Sequence, residues 1–340
     1  MAKLTIKEIA KIAGVSPSAV SIVLNNRKGV SDETRRKVTE IVDKLQYTPN
    51  PNSRRLLFNK TNNIAVLFKK NISPLEHIFH SELNRVILHE CEALGYNLIF
   101  TSVNIEGDSV MLPNVIKSYD VDGIIFYNDI DPLILNSIKK FDIPAIIVDS
   151  HNVNQETLCI GADYAEAAYS ATMHLISLGH KNIAYIGNGS LASFNAQTFS
   201  GFKKAIEEHR MRIPINWIQF DARDEESAFC CMENILAYDQ LPTAVFCAAD
   251  IYAIGAMKCI KGHGLKIPDN ISIVGIDDII LSRYIDPPLT TVRIDKEEMG
   301  RIALELLIKK IEKLDVDSRI VKSNNVIIRS STRRIMPYGT

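Results

Sequence analysis

At 340 residues and 46% hydrophobic side chains, the chain is long enough for two or three domains of roughly 150 residues, each with a sizeable core. No apolar run approaches the roughly 18 residues of a membrane span, and Met1-Ala2-Lys3 leads straight into an amphipathic segment rather than a signal sequence; a cytoplasmic protein with no membrane partner is expected. The net charge of −1 is unevenly placed: residues 1–60 hold 12 Lys and Arg against 5 Asp and Glu, a net of +7, and the remainder carries −8. A small basic head on an acidic body fits a polyanion-binding module attached to something else.

The head comes first. Thr5-Ile6-Lys7-Glu8 reads as a capping box opening a helix, with Ile6, Ile9, Ala10 and Ala13 at helical spacing. Gly14-Val15 turns the chain. Ser16 caps a second helix, and Pro17 takes its first position, where a missing N–H costs nothing. Val20, Val23 and Leu24 face inward, leaving Pro17, Ser18, Ser21, Ile22 and Asn25 outside. Ser31 caps a third helix that runs to about Leu45, with Asp32 and Glu33 at its positive end. A helix pair joined by a tight glycine turn is the arrangement that lays its second helix in the DNA major groove.

The ordered pattern Thr5-Ile6-x-x-Ile9-Ala10-x-x-Ala13-Gly14-Val15-Ser16-x-x-Ala19-Val20-Ser21-x-Val23-Leu24-Asn25 resembles the DNA-binding head of the lactose-repressor (LacI/GalR) family. Val30-Ser31-x-x-Thr34-Arg35-x-x-Val38 and Leu45-x-Tyr47-x-Pro49-Asn50 continue it. Where many relatives carry an Arg that reads guanine, this chain has Ile22, which shifts base readout toward Ser18, Ala19 and Ser21.

Pro49-Asn50-Pro51-Asn52 cannot continue the third helix, and Ser53-Arg54-Arg55-Leu56-Leu57-Phe58 is helix-capable but short. The resemblance implies a hinge helix that orders on DNA and wedges Leu56 into the minor groove, with Arg54 beside it and Ser53 where relatives usually have Ala. The DNA-contacting set is thus Thr5, Ser16, Pro17, Ser18, Ala19, Ser21, Ile22, Asn25, Ser31, Asn50, Ser53, Arg54 and Leu56.

From residue 63 on, apolar runs alternate with helical stretches. The runs are Ile64–Phe68, Asn97–Phe100, Gly123–Tyr127, Ala145–Asp149, Ile183–Gly187, Ala244–Cys247 and Ser272–Ile276. Repeated β-α units with near-continuous apolar strands indicate parallel sheets covered on both faces. The six cysteines show no C-x-x-C spacing and no histidine cluster accompanies them, so free thiols are expected and no metal. Cys230-Cys231 reads as two positions of a helix or, alternatively, as a redox pair.

The family resemblance continues through His174–Ala184, Pro242–Phe246, Gly264–Asp278 and Pro287–Val292. It implies a periplasmic-binding-protein-like body of two α/β subdomains, residues 63–161 plus 291–323 and residues 162–290 plus 324–340. These follow a head of residues 1–48 and a hinge of residues 49–62. It also implies a small effector, usually a sugar or a purine, in the cleft between the subdomains. Asp277 matches the first acid of the family's Gly-x-Asp-Asp, and Asp149 another cleft position. Thr198 stands in place of a family arginine and Ala249 in place of an asparagine, which removes the usual clamp on a sugar. Arg223, Lys69, Phe79 and His80 complete the candidate set, and Arg223 with Lys69 suggests a sugar acid or sugar phosphate.

The function expected is a homodimeric, effector-gated repressor of a pseudo-palindromic operator, without cofactor. A protein coregulator in place of the small effector is a further option. A sugar-transport protein would lack the head, and no G-x-S-x-G, Walker A or G-x-G-x-x-G points to an enzyme.

Overall fold

The computed structural model describes residues 4–24, 28–45, 47, 60–70, 73–107, 109–152, 157–323 and 325–335. The chain divides into two compact units, residues 1–62 with 120–122, and residues 63–119 with 123–340.

In the first unit, helices α1 (Ile6–Ala13), α2 (Pro17–Leu24) and α3 (Asp32–Lys44) enclose a small core of Ile9, Ala10, Ala13, Val20, Val23, Val38 and Tyr47. The local signals act as expected. The Thr5 amide donates to the Glu8 carboxylate at 2.7 Å, and Thr5 Oγ1 accepts from the Glu8 amide at 3.4 Å. Gly14 closes α1 with φ 64°, a conformation that a Cβ makes costly. Ser16 Oγ accepts from the Ala19 amide at 3.1 Å, and Ser31 Oγ from the Thr34 amide at 3.2 Å.

The second unit runs β1 (Asn63–Lys69), α4 (Ile78–Ala93), β2 (Asn97–Glu106), β3 (Ser109–Met111), α5 (Asn114–Lys117), β4 (Gly123–Tyr127), α6 (Pro132–Lys139), β5 (Ala145–Val148) and β6 (Cys159–Ala162). It continues through α7 (Tyr164–Ser177), β7 (Ile183–Ile186), α8 (Ala192–Glu208), β8 (Ile218–Gln219), α9 (Glu225–Leu236), β9 (Ala244–Cys247), α10 (Asp250–Gly262) and β10 (Ser272–Asp277). The last elements are β11 (Thr290–Arg293), α11 (Lys296–Ile311), β12 (Arg319–Val321) and β13 (Asn325–Ile327).

These strands form two sheets, ordered β12-β6-β5-β4-β1-β2-β3 and β13-β11-β10-β9-β7-β8. All pairs are parallel except β2 with β3 and β11 with β13. Every residue of β7, β9 and β10 is buried. Because side chains alternate along a strand, that pattern requires cover on both faces. Helices α7, α9 and α10 pack on the second sheet, while α4 and α11 pack on each other and on the first. Strand β11 pairs within the second sheet, so the chain returns to the first sheet's helices only after Arg293.

Candidate functional site

Two surfaces carry the candidate residues. On the head, Thr5, Ser16 and Ser31 are exposed caps at helix starts, and Pro17 and Ser18 are exposed on the first turn of α2. Ala19, Ser21 and Ile22 are half-buried along the same helix. Exposed Lys7, Lys11, Lys28, Arg36 and Lys37 add a positive field that suits a phosphate backbone. Their signal in the sequence was the charge asymmetry, not the motif. Asn25, Asn50, Ser53, Arg54 and Leu56 lie outside the described residues.

In the body, strand ends and helix starts surround a cavity of about 450 Å³. His77, Phe79 and His80 come from the start of α4, Asn128 from the end of β4, and Asp149 and His151 from the segment after β5. Tyr164 opens α7, Phe194 lies in the first turn of α8, and Arg223 precedes α9. Ala249 and Tyr252 belong to the start of α10, and Asp277 ends β10. The carboxyl ends of parallel strands are where open α/β sheets bind ligands. Asp149 and Asp277 have φ of 59° and 116°, left-handed values that a side chain resists and that concentrate at functional sites.

Asp149 is fully engaged. His80 Nε2 lies 3.1 Å from Oδ2, the Tyr164 hydroxyl donates to Oδ1 at 2.6 Å, and His151 Nε2 lies 3.9 Å from Oδ1. Burial pushes this carboxyl up, but the His80 bond, the charges of His151 and His80 and the Tyr164 hydroxyl together hold it below its ordinary value. The His80 ring stacks on Tyr127 at 4.8 Å, and the Tyr127 hydroxyl donates to Asn84 at 2.6 Å.

Asp277 differs. Among the described residues no hydrogen bond reaches its carboxylate, although its backbone carbonyl accepts from Lys296 at 2.6 Å. Burial first, and then the neighbouring Asp250, raise its pKa well above the ordinary value; Lys296 opposes them.

Six of the eight expected effector residues line this cavity: Phe79, His80, Asp149, Arg223, Ala249 and Asp277. Lys69 does not. It pairs with Asp131 at 3.0 Å and lines an adjacent cavity of about 190 Å³. Thr198 is wholly buried on α8, sharing a hydrogen bond of 2.9 Å with the Tyr185 hydroxyl and donating to the Phe194 carbonyl at 3.1 Å. His151, Tyr164, Phe194 and Tyr252 were not singled out from the sequence; their proximity to strand ends was the available signal. Five acidic residues, Glu76, Asp149, Asp224, Glu225 and Asp277, line the cavity, against one Lys or Arg among the described residues, Arg223. The His77 and His80 ring centres lie 4.4 Å apart with the planes tilted by 32°, and among the described residues no His, Cys, Asp or Glu cluster has the geometry to hold a metal.

Residues 5–50 match the model of the bacterial regulatory proteins of the lacI family, and residues 172–332 match a periplasmic binding protein-like domain. The HTH-type transcriptional repressor PurR of Histophilus somni (strain 129Pt) is 33% identical over 337 residues, which cover 97% of this chain and 99% of that protein. The chain belongs to the LacI family. A PurR repressor of Pasteurella multocida (strain Pm70) is 34% identical over 97% of the chain and 98% of its own length. A lac repressor dimer bound to operator and the anti-inducer ONPF shares the fold, with a TM-score of 0.82 at 24% identity over 97% of this chain and 99% of the other. The protein is therefore a LacI-family transcriptional repressor with a DNA-binding head and an effector-binding body. Among the described residues no helix is long and apolar enough to cross a membrane.

Proposed function

We propose that this repressor acts in the cytoplasm as a homodimer, without catalysis, and that its body binds a neutral, flat nitrogen heterocycle of the purine type. The observation that carries this reading is the Asp277 carboxyl group, which stands at the cavity wall with no hydrogen bond from the described residues. A ligand N–H aimed at Asp277 supplies the hydrogen bond that no described residue makes to this side chain. Phe79, Tyr164, Phe194 and Tyr252 supply aromatic faces for a flat ring.

An acidic ligand is disfavoured by charge. Five acidic residues line the cavity, and Lys69, one of the two cations expected to hold such a ligand, is paired with Asp131. A polyol is disfavoured by Thr198 and Ala249: the first is turned into the core, and the second has no side-chain polar group. We take the two lobes to be residues 63–161 with 291–323 and residues 162–290 with 324–340, moved by a few residues at the second crossing because β11 pairs into the second sheet. Effector and operator affinities are coupled reciprocally, so the direction of control follows from either measurement.

Calorimetry with hypoxanthine, guanine, adenine, ribose and glucuronate tests the reading. Binding of at least one base, with a matching change in operator affinity, is expected. Binding of glucuronate with every base silent overturns it and restores the sugar-acid alternative.

A further inference from the structure

We infer that Glu82 and Lys296 form a clamp between the two lobes, gripping the turn after β10 and presenting Asp277 to the cavity. The inference deepens the proposed effector reading, but its test needs no effector. Lys296 is the first residue of α11, and Glu82 lies on α4; both helices belong to the first lobe. A lysine at a helix N-terminus opposes the helix dipole, and the cap here is Asp295, so capping does not account for it.

Its side chain is only 10% exposed, and the ammonium group donates to the Asp277 carbonyl at 2.6 Å and to the Asp278 carbonyl at 3.2 Å. It also lies 3.3 Å from Glu82 Oε2. The other oxygen, Glu82 Oε1, accepts from the Ile280 amide at 2.7 Å. One ion pair of the first lobe thus holds three backbone groups of a single turn in the second.

The turn needs holding. Asp277 and Asp278 are consecutive non-glycine residues with φ of 116° and 47°. From its own lobe the turn is braced by Asp278, which accepts from Arg293 at 2.8 Å and from Arg329. Asp250 braces it too, accepting from the Ile279 amide at 3.0 Å and the Ser282 hydroxyl at 2.6 Å. With the backbone fixed on both sides, the Asp277 side chain is left facing the cavity. The same ammonium sits 5.2 Å from the centre of the Phe79 ring, itself a cavity wall. A ligand that pulls on Asp277 therefore pulls on a residue whose carbonyl the other lobe holds.

The full chain is tested as Glu82→Gln, Lys296→Met and Lys296→Arg. Cys230 is exposed and the other five cysteines are buried, so a spin label placed there and another on Lys117→Cys report the distance between lobes, with excess unlabelled protein suppressing pairs between subunits. Without effector, the parental chain is expected to give one narrow distance distribution. Glu82→Gln and Lys296→Met are expected to broaden or lengthen it and to speed hydrogen exchange at the Ile280 amide about tenfold, as loss of a charge-assisted bond predicts. Lys296→Arg is expected to restore both readouts. An unchanged distribution and unchanged exchange in both variants overturn the clamp. So does exchange that rises equally over β9 and β10, which marks a general loss of stability.

Discussion

Asp149 and Asp277 occupy matching places in the two sheets. Each stands at the carboxyl end of a buried parallel strand, each has a left-handed φ, and each lines the same cavity. Their surroundings set them apart. Asp149 is covered by His80, Tyr164 and His151, and its carboxyl stays below the ordinary value. Asp277 has its backbone held, no hydrogen bond to its side chain among the described residues, and a carboxyl that is pushed well up. The same residue type at the same kind of position is thus part of the framework in one sheet and open to a ligand in the other. Environment, not identity, assigns the role.

The largest effect that tests this contrast is on stability. Asp149→Ala breaks a buried pair and strands His80 and the Tyr164 hydroxyl, and is expected to cost about 3 kcal/mol, read as a fall in thermal midpoint of several degrees. Asp277→Asn is expected to leave that midpoint unchanged at about pH 4 and to raise it near neutral pH, while weakening effector binding by roughly 10- to 100-fold, the value of one hydrogen bond to a charged group. A large stability loss at Asp277 and none at Asp149 would invert the assignment.

A smaller effect is the dependence on pH, where the two carboxyls have opposite signs. Asp149, with its folded pKa depressed, contributes stability present above the unfolded value of about 3.9 and lost as pH falls through the folded pKa. Asp277, with its folded pKa raised, contributes stability fully present below about pH 3.9 and lost as pH rises toward the folded pKa. Urea midpoints between about pH 4 and 7 should therefore decline less with rising pH in Asp277→Asn than in the parental chain. An identical slope would remove the basis for treating Asp277 as the open partner. The smallest effect expected is at Thr198→Val: about 1 kcal/mol of stability from the lost Tyr185 contact, with effector affinity unchanged in calorimetry.

The head was legible because its signals are local. The Thr5–Glu8 box, the Gly14 turn and the Ser16 and Ser31 caps each act within a few residues, and each is present in the structure. The apolar strands of the body were legible for a similar reason, since burial on both faces writes a continuous run. The cavity was harder to read. Tyr164 meets Asp149 through the end of one strand and the start of a helix beyond the next, a proximity no spacing in the sequence encodes. Lys69 was read from its place at a strand end, but the ammonium pairs with Asp131, 62 residues on, outside the main cavity. Thr198 was read from the position of a family arginine; a shorter side chain there is satisfied within the core by Tyr185. The hinge residues Ser53, Arg54 and Leu56 lie outside the described residues, so the structure neither adds to nor alters their reading.

Gly275, in the middle of β10, abuts the Asp250 carboxylate so closely that any Cβ would overlap it. That carboxylate also accepts from Thr291 at 2.6 Å, in addition to the Ile279 amide and Ser282. The consequence concerns how such a protein can diversify. A side chain at position 275 would displace the acid that steadies the turn carrying Asp277, whatever ligand is bound. Position 223, on the loop before α9, can change without disturbing that network, whereas 250, 275, 282 and 291 are tied to one another through the Asp250 carboxylate. New effector preferences can therefore evolve around this turn, with position 275 of the strand beneath it confined to glycine.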